Sequence, residues 1–152
     1  SEDKKVKIRM GIVLKVIITV ATAIAGALGW ALAKAMRTIT LLIIHCSATP
    51  QGVALGFEIA AATTSTTAAS VTSAIIYLTR NGEIHRGRPL EKIGAHCLNH
   101  NRHSIGICYE GGLDAASFPA DTRTLEQKAS LLALLRELKR IFPRALIGGT
   151  MT

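Results

Sequence analysis

Acidic side chains are few in this chain, aromatic ones fewer, and the cysteine count is odd. Its 152 residues carry 10 Asp and Glu against 18 Lys and Arg, a formal net charge of +8, and only 4% are aromatic. The three cysteines, Cys46, Cys97 and Cys108, include no C-x-x-C pair of the kind that holds a metal, and an odd number argues against a complete disulfide framework. They read instead as reduced, buried, small apolar side chains. There is no recognition-helix pattern and no interleaving of aromatic with basic residues, so nucleic acid is not an expected partner. The basic excess is spread rather than focused. Residues 1–35 hold six basic and two acidic side chains and the remainder twelve and eight, so each part carries +4. Such an excess favours an anionic surface without specifying one.

Charge is also missing from Val16 to Ala33, "VIITVATAIAGALGWALA", an 18-residue run. That length approaches the roughly 20 apolar residues a helix needs to cross a bilayer. A basic stretch precedes it, Trp30 lies near its far end, and the small residues of "AKA" follow. The pattern fits a membrane anchor held with its basic end in the cytoplasm. It equally fits a secretory signal, with basic, apolar and A-x-A regions in order. A buried amphipathic helix is the plain structural alternative. Residues 1–35 are thus expected as a hydrophobic membrane or signal-like helix, and 36–152 as a separate domain, with Met36 resembling a fresh start. The expected location is the membrane or cell envelope, with secretion as the alternative.

The second part is patterned as a globular α/β domain. "TITLLIIHCSATP" (38–50) is a β-branched apolar run that breaks into polar residues and a proline, a central strand with His45 at its carboxyl end. Open α/β sheets place ligands at that end, which makes His45 a metal-ligand or acid/base candidate beside the simpler reading of a hydrogen-bonded structural histidine. "YLTRNGEIHRG" (77–87) reads as a hairpin in which Asn81 and Gly82 supply the two positive-φ residues of a tight turn. "HSIGICYEGG" (103–112) is a further strand closed by a glycine pair. "TLEQKASLLALLRELKRIFP" (124–143) is a helix with a Thr124–Gln127 capping box and a stop at Pro143. Its apolar stripe runs through Leu125, Ala129, Leu132, Leu135, Leu138 and Phe142. "RALIG" (144–148) is one more strand. These elements predict a mixed central sheet with flanking helices.

Three segments carry a family resemblance: "IHCSATP" (44–50), "GRPLEKIGAHCLNHNRHSIGICYEGG" (87–112) and "FPADTRTLEQKASLLALLRELKRIFP" (118–143). Together they resemble type 2 N-acetylmuramoyl-L-alanine amidases, a family that includes phage lysozyme-type amidases and is similar in fold to peptidoglycan-recognition proteins. The first 35 residues resemble the small hydrophobic "smalltalk" proteins encoded beside cell-wall amidases. The resemblance implies peptidoglycan as partner, zinc as cofactor, and cleavage of the amide between the lactyl group of muramic acid and L-alanine. It makes His45 the first zinc ligand and the loop "GAHCLNHN" a wall of the substrate groove, with His96 and Asn101 contacting the glycan–peptide chain. Zinc on three protein ligands keeps a fourth position for water and lowers that water's pKa.

The pattern then breaks. Where the family has a GYHY-type strand whose tyrosine assists catalysis, this chain has "SAIIY", with Ala74 and Ile75 near the expected tyrosine and histidine. Where the family carries Gly-His-(His/Arg)-Asp-Leu, this chain has "GGTMT", which sets Gly149 in the place of the second ligand; the third is expected beyond Thr152. The uncharged stretch "AATTSTTAASVTSAIIY" (61–77) explains the first break. Ala, Thr, Ser and Ile codons shifted by one base can spell "RRDHIYHRGFRDIGYH", the helix and strand such an amidase needs there, and "GGTMT" can hide Gly-His-His-Asp-Leu. The expectation is a domain aberrant over 60–77 and cut short at its carboxyl end, although a plain Ala/Thr/Ser linker is the alternative. No catalytic residue is assignable. Function is expected as an impaired peptidoglycan amidase, or as a non-catalytic peptidoglycan-binding module, or as a small membrane protein carrying a degraded passenger.

Overall fold

The computed structural model describes residues 37–54, 76–87, 92–95 and 97–149, together with residues 2, 4, 5, 7, 9–12 and 14 near the amino end, which are helical. Among the described residues no helix is long and apolar enough to cross a membrane. The expected span Val16–Ala33, most of the aberrant stretch 60–77, and His96 lie outside the described residues.

Seven strands and one long helix build the described domain. In chain order the strands are β1 (Leu41–Cys46), β2 (Thr49–Pro50), β3 (Ile76–Leu78), β4 (Ile84–Arg86), β5 (Ser104–Tyr109), β6 (Gly112–Leu113) and β7 (Leu146–Gly149). The long helix, Leu125–Ile141, lies between β6 and β7. The main sheet has the order β4-β3-β5-β1-β7. β1 runs parallel to both β5 and β7, β3 runs parallel to β5, and only the β3–β4 pair is antiparallel. This is the mixed sheet predicted. Parallel neighbours demand long crossovers, which is why the helix separates β5 from β7 in sequence.

Centrality is written in composition. β5, flanked by β3 and β1, reads Ser-Ile-Gly-Ile-Cys-Tyr, and Ile105, Ile107 and Cys108 have no exposed surface. Burial on both faces suits a run without polar alternation. On one face Leu42, Ile76, Leu78, Ile105 and Ile107 pack with Leu131, Leu134 and Leu138 of the helix, joined by Ile39, Phe142 and Ala145. Each such fully buried aliphatic side chain contributes about 1.5–3 kcal/mol relative to exposure. Strand alternation sends Ile43, His45, Tyr77 and Cys108 to the opposite face.

The helix begins as read from the sequence. Thr124 Oγ1 accepts from Gln127 N–H at 3.1 Å and Gln127 Oε1 accepts from Thr124 N–H at 3.0 Å, a complete capping box. Its buried face keeps Leu138 and Phe142 of the expected stripe, with Leu135 packed against the core, but differs towards the amino end. Leu125 and Leu132 are 75% and 51% exposed, while Gln127, Ser130, Leu131, Leu134 and Leu138 are buried. The cap rotates the helix. Gln127 Nε2 also donates to the carbonyl of Glu110 (2.9 Å) and weakly to that of Leu78 (3.4 Å), and Ser130 Oγ donates to the carbonyl of Gly82 (2.7 Å). Two polar side chains of the first two turns thereby face the sheet, where the hydrophobic pattern places Leu125, Ala129 and Leu132.

The hairpin also differs in detail. Gly82 has φ +82°, whereas Asn81 is not in the positive-φ region. Gly82 N–H donates to the carbonyl of Thr79 (2.9 Å) and Thr79 N–H to that of Glu83 (3.0 Å). The loop is therefore an ordinary turn followed by a left-handed glycine, which needs one positive φ rather than two. Asn81 works through its side chain, whose Oδ1 accepts from Thr79 Oγ1 (2.5 Å) and Glu83 N–H (3.2 Å). Gly82 serves a second purpose, since a Cβ there would lie 2.8 Å from the carbonyl oxygen of Glu126.

Candidate functional site

His45 is the penultimate residue of β1 and is only 5% exposed. Burial brings its imidazole pKa down from 6.5 to about 4, so at neutral pH the ring is uncharged and keeps a lone pair, the form that ligates a metal or accepts a hydrogen bond. The register places Cys108 of β5 beside it, Tyr77 of β3 beside Cys108, and His85 of β4 beside Tyr77. In-register residues of neighbouring strands share a face, so these four side chains form a row across the sheet on the side away from the helix. Burial first, then the negative charge of Glu110, raises the Tyr77 pKa, so this phenol stays protonated.

The chain beyond His45 is held tightly. Ser47 N–H donates to the carbonyl of Tyr109 (3.0 Å) and Thr49 N–H to that of Gly111 (2.9 Å). Ser47 Oγ, 2.7 Å from Thr49 Oγ1, accepts from Gly111 N–H at 3.1 Å. The short parallel pair β2–β6 completes the brace. Gly112 is required at this point. Its φ is +101°, and a Cβ would stand 2.3 Å from Cys46 Sγ and 2.6 Å from Cys46 Cβ. All three cysteines are free thiols, with Cys108 buried and Cys46 and Cys97 half-buried.

Asn101 lies elsewhere. It opens a 3₁₀ turn, Asn101–His103, that leads into β5, and its Oδ1 accepts from Cys97 N–H at 2.9 Å, closing the "CLNHN" loop on itself. Arg37 clamps this loop from below. Its guanidinium donates to the carbonyls of Lys92 (3.1 Å), Asn101 (2.8 Å) and Ser104 (2.9 Å), with longer bonds to that of Arg102 (3.3 and 3.4 Å). Ser104 pairs with Leu41 and Cys108 with His45, so the loop joins the sheet four residues, about 13 Å of strand, from the level of His45. His45 and Asn101 therefore do not converge into one cluster. Gly149 pairs with Ile44, one residue before His45, so Gly149, which stands in the place of the expected second ligand, is not level with His45.

Sequence reading missed Tyr77, Cys108 and His85 as companions of His45. The signal was available in part: the hairpin fixes Tyr77 against His85, but the parallel register that adds Cys108 and His45 is set by crossovers and has no local code.

A family model for N-acetylmuramoyl-L-alanine amidases matches residues 35–148. The chain belongs to this family. A family of unknown function matches residues 11–31. A protein of Haemophilus influenzae without an assigned function is 42% identical over 69 residues, 45% of this chain and 60% of that one. An endolysin of Enterobacteria phage K11 is 35% identical over 68 residues, covering 45% of each. The chain thus spans about half the length of the curated relatives it matches. Among solved structures, the Ph2119 endolysin of a Thermus scotoductus bacteriophage superposes with a TM-score of 0.57 at 16% identity, over 76% of this chain and 75% of that one. The fold is therefore shared with an endolysin whose sequence has drifted far from it.

Within this amidase-family chain, no group of three His, Cys, Asp or Glu side chains among the described residues could hold a metal ion. The described residues consequently do not fit a three-ligand zinc centre. His45 is one donor, buried and neutral.

Proposed function

We propose that this chain is a peptidoglycan-directed domain of amidase type, aimed at the amide between the lactyl group of muramic acid and L-alanine, with turnover impaired by an incomplete metal set. The observation that carries this reading is His45: a neutral imidazole at the carboxyl end of a central parallel strand, in a family member whose described residues supply no set of three ligands around it. A lone histidine gives a weak zinc site compared with three convergent donors. The reading assigns the loss to a shifted reading frame across 60–77 and near 148, which the nucleotide sequence tests directly. It also holds the domain at the membrane or cell envelope through residues 16–33, with secretion as the alternative outcome of cell fractionation.

A second reading, a binding module without hydrolysis, is favoured by the intact "CLNHN" loop, which is closed by Asn101 and pinned by Arg37 although the described residues hold no three-ligand set. Incubation of the purified chain with peptidoglycan sacculi, with and without added zinc, separates the two. The amidase reading expects slow, zinc-dependent release of peptides bearing new L-alanine amino termini. Co-sedimentation with sacculi and no release selects the binding module, and absence of both rejects peptidoglycan as the partner. Release at the rate of an intact phage amidase overturns the claim of impairment.

A further inference from the structure

The loop at the other end of the sheet carries two histidines that neither the fold nor the His45 site accounts for. His100 Nδ1 and His103 Nε2 are 3.3 Å apart, with the rings nearly perpendicular at 84° and their centroids 5.3 Å apart. From this geometry we propose that His100 and His103 form a two-nitrogen site for a borderline divalent transition cation such as Zn²⁺ or Ni²⁺, separate from His45.

Distance is the first argument. Imidazole nitrogens each about 2.0–2.1 Å from a tetrahedral metal lie about 3.3–3.4 Å from one another. The observed separation matches the chord of such a site, so a cation requires the rings to turn their lone pairs towards it but not the nitrogens to change their spacing. In the metal-free loop one nitrogen donates to the other; a cation takes over that role by a change of tautomer, with no net loss of a proton. Imidazole pairs suit zinc, nickel and copper rather than magnesium or calcium, which require oxygen.

Preorganisation is the second. The two residues are three apart and bracket a 3₁₀ turn, His100 as its amino-terminal cap and His103 as its last residue. His100 N–H donates to the carbonyl of Cys97 (3.0 Å) and His103 N–H to that of His100 (3.3 Å), so the turn runs continuously beneath both rings. Thr40 N–H donates to the carbonyl of His103 (2.8 Å), and Arg37 holds the carbonyls of Asn101 and Ser104 on either side. A backbone pinned at four successive carbonyl or amide positions presents the rings with little left to order. Among the described residues no third His, Cys, Asp or Glu joins the pair to complete a set. Water or an oxygen donor of a ligand resting on the loop would complete the coordination.

Zinc titrated into the full chain in detergent micelles, followed by calorimetry, tests the site in the wild type, His45→Ala, His100→Ala, His103→Ala and the double variant. Binding at the loop should survive His45→Ala and weaken by about tenfold or more in either loop variant. A double variant that titrates as the wild type does, or wild-type binding that vanishes in His45→Ala alone, overturns the proposal. Should a substituted chain lose its native circular dichroism, the unaltered chain decides by NMR. Zinc must then shift the ring resonances of His100 and His103 together, and rings that stay in place refute the site.

Discussion

His45 and Cys108 stand at the same level of two adjacent parallel strands, and both side chains turn away from the long helix. The consequence for His45 is a ring sealed from water and uncharged. Its folded pKa of about 4 lies below the unfolded value of 6.5, so the unfolded chain binds the extra proton first. The associated stability is fully present above pH 6.5 and is lost as pH falls through 6.5 towards 4. The shift corresponds to roughly 3 kcal/mol at most. Urea midpoints measured at pH 7.5, 5.5 and 4.5 should fall more steeply in the wild type than in His45→Gln, which has no proton to gain. Parallel slopes would show that the imidazole is solvated in solution.

The start of the long helix makes a second prediction. Thr124 caps the helix and donates its hydroxyl proton to the carbonyl of Arg80 (2.6 Å), linking the hairpin to the helix. Thr124→Ala should cost about 1–2 kcal/mol, and Thr124→Ser, which keeps the oxygen, much less. Gln127→Ala should cost more, about 2–3 kcal/mol, because it leaves the buried carbonyl of Glu110 without its amide donor. The double variant should lose less than the sum of the single losses, since each change already breaks the reciprocal cap. Additive losses in chemical denaturation would mean that the two bonds act independently.

These same residues mark how far sequence could be read. The cap, the strand ending in His45, the hairpin and the strand into Glu110 were legible because each depends on residues a few positions apart. The helix's buried face was not, because Gln127 and Ser130 face the sheet to satisfy carbonyls of Glu110 and Gly82, which are distant in sequence. His45 was legible as a strand-end histidine. Its row with Cys108, Tyr77 and His85 was not, since parallel register is fixed by tertiary packing. The Asn81–Gly82 turn failed for a local reason: the same dipeptide serves two turn types, and the bond from Thr79 to the Asn81 side chain favours the one with a single positive φ.

Gly112 gives a third prediction that separates strain from crowding. Gly112→Ala meets both a positive φ and the Cys46 side chain, and should destabilise the domain by about 3 kcal/mol. Cys46→Ala should rescue little of this, because the Cβ of residue 46 alone would stand 2.6 Å away. Cys46→Gly combined with Gly112→Ala should recover the crowding share and leave the backbone strain, which thermal unfolding of the three variants beside the wild type resolves. Full rescue by Cys46→Ala would show that sulfur contact is the whole effect.

Arg37 supplies the last. One guanidinium reaches the carbonyls of Lys92, Asn101, Arg102 and Ser104, and burial lowers its pKa. A flat fork of five donors can reach several acceptors in one plane, whereas the ammonium of lysine is a compact point charge. Arg37→Lys should therefore behave almost as Arg37→Ala. Both should lower global stability by only about 1–2 kcal/mol yet raise amide hydrogen exchange across 97–104 well beyond that in the long helix. The loop that carries Asn101, His100 and His103 would then lose its fixed shape while the sheet persists. Exchange that rises equally in loop and helix would show that Arg37 supports the fold as a whole and has no special hold on the loop.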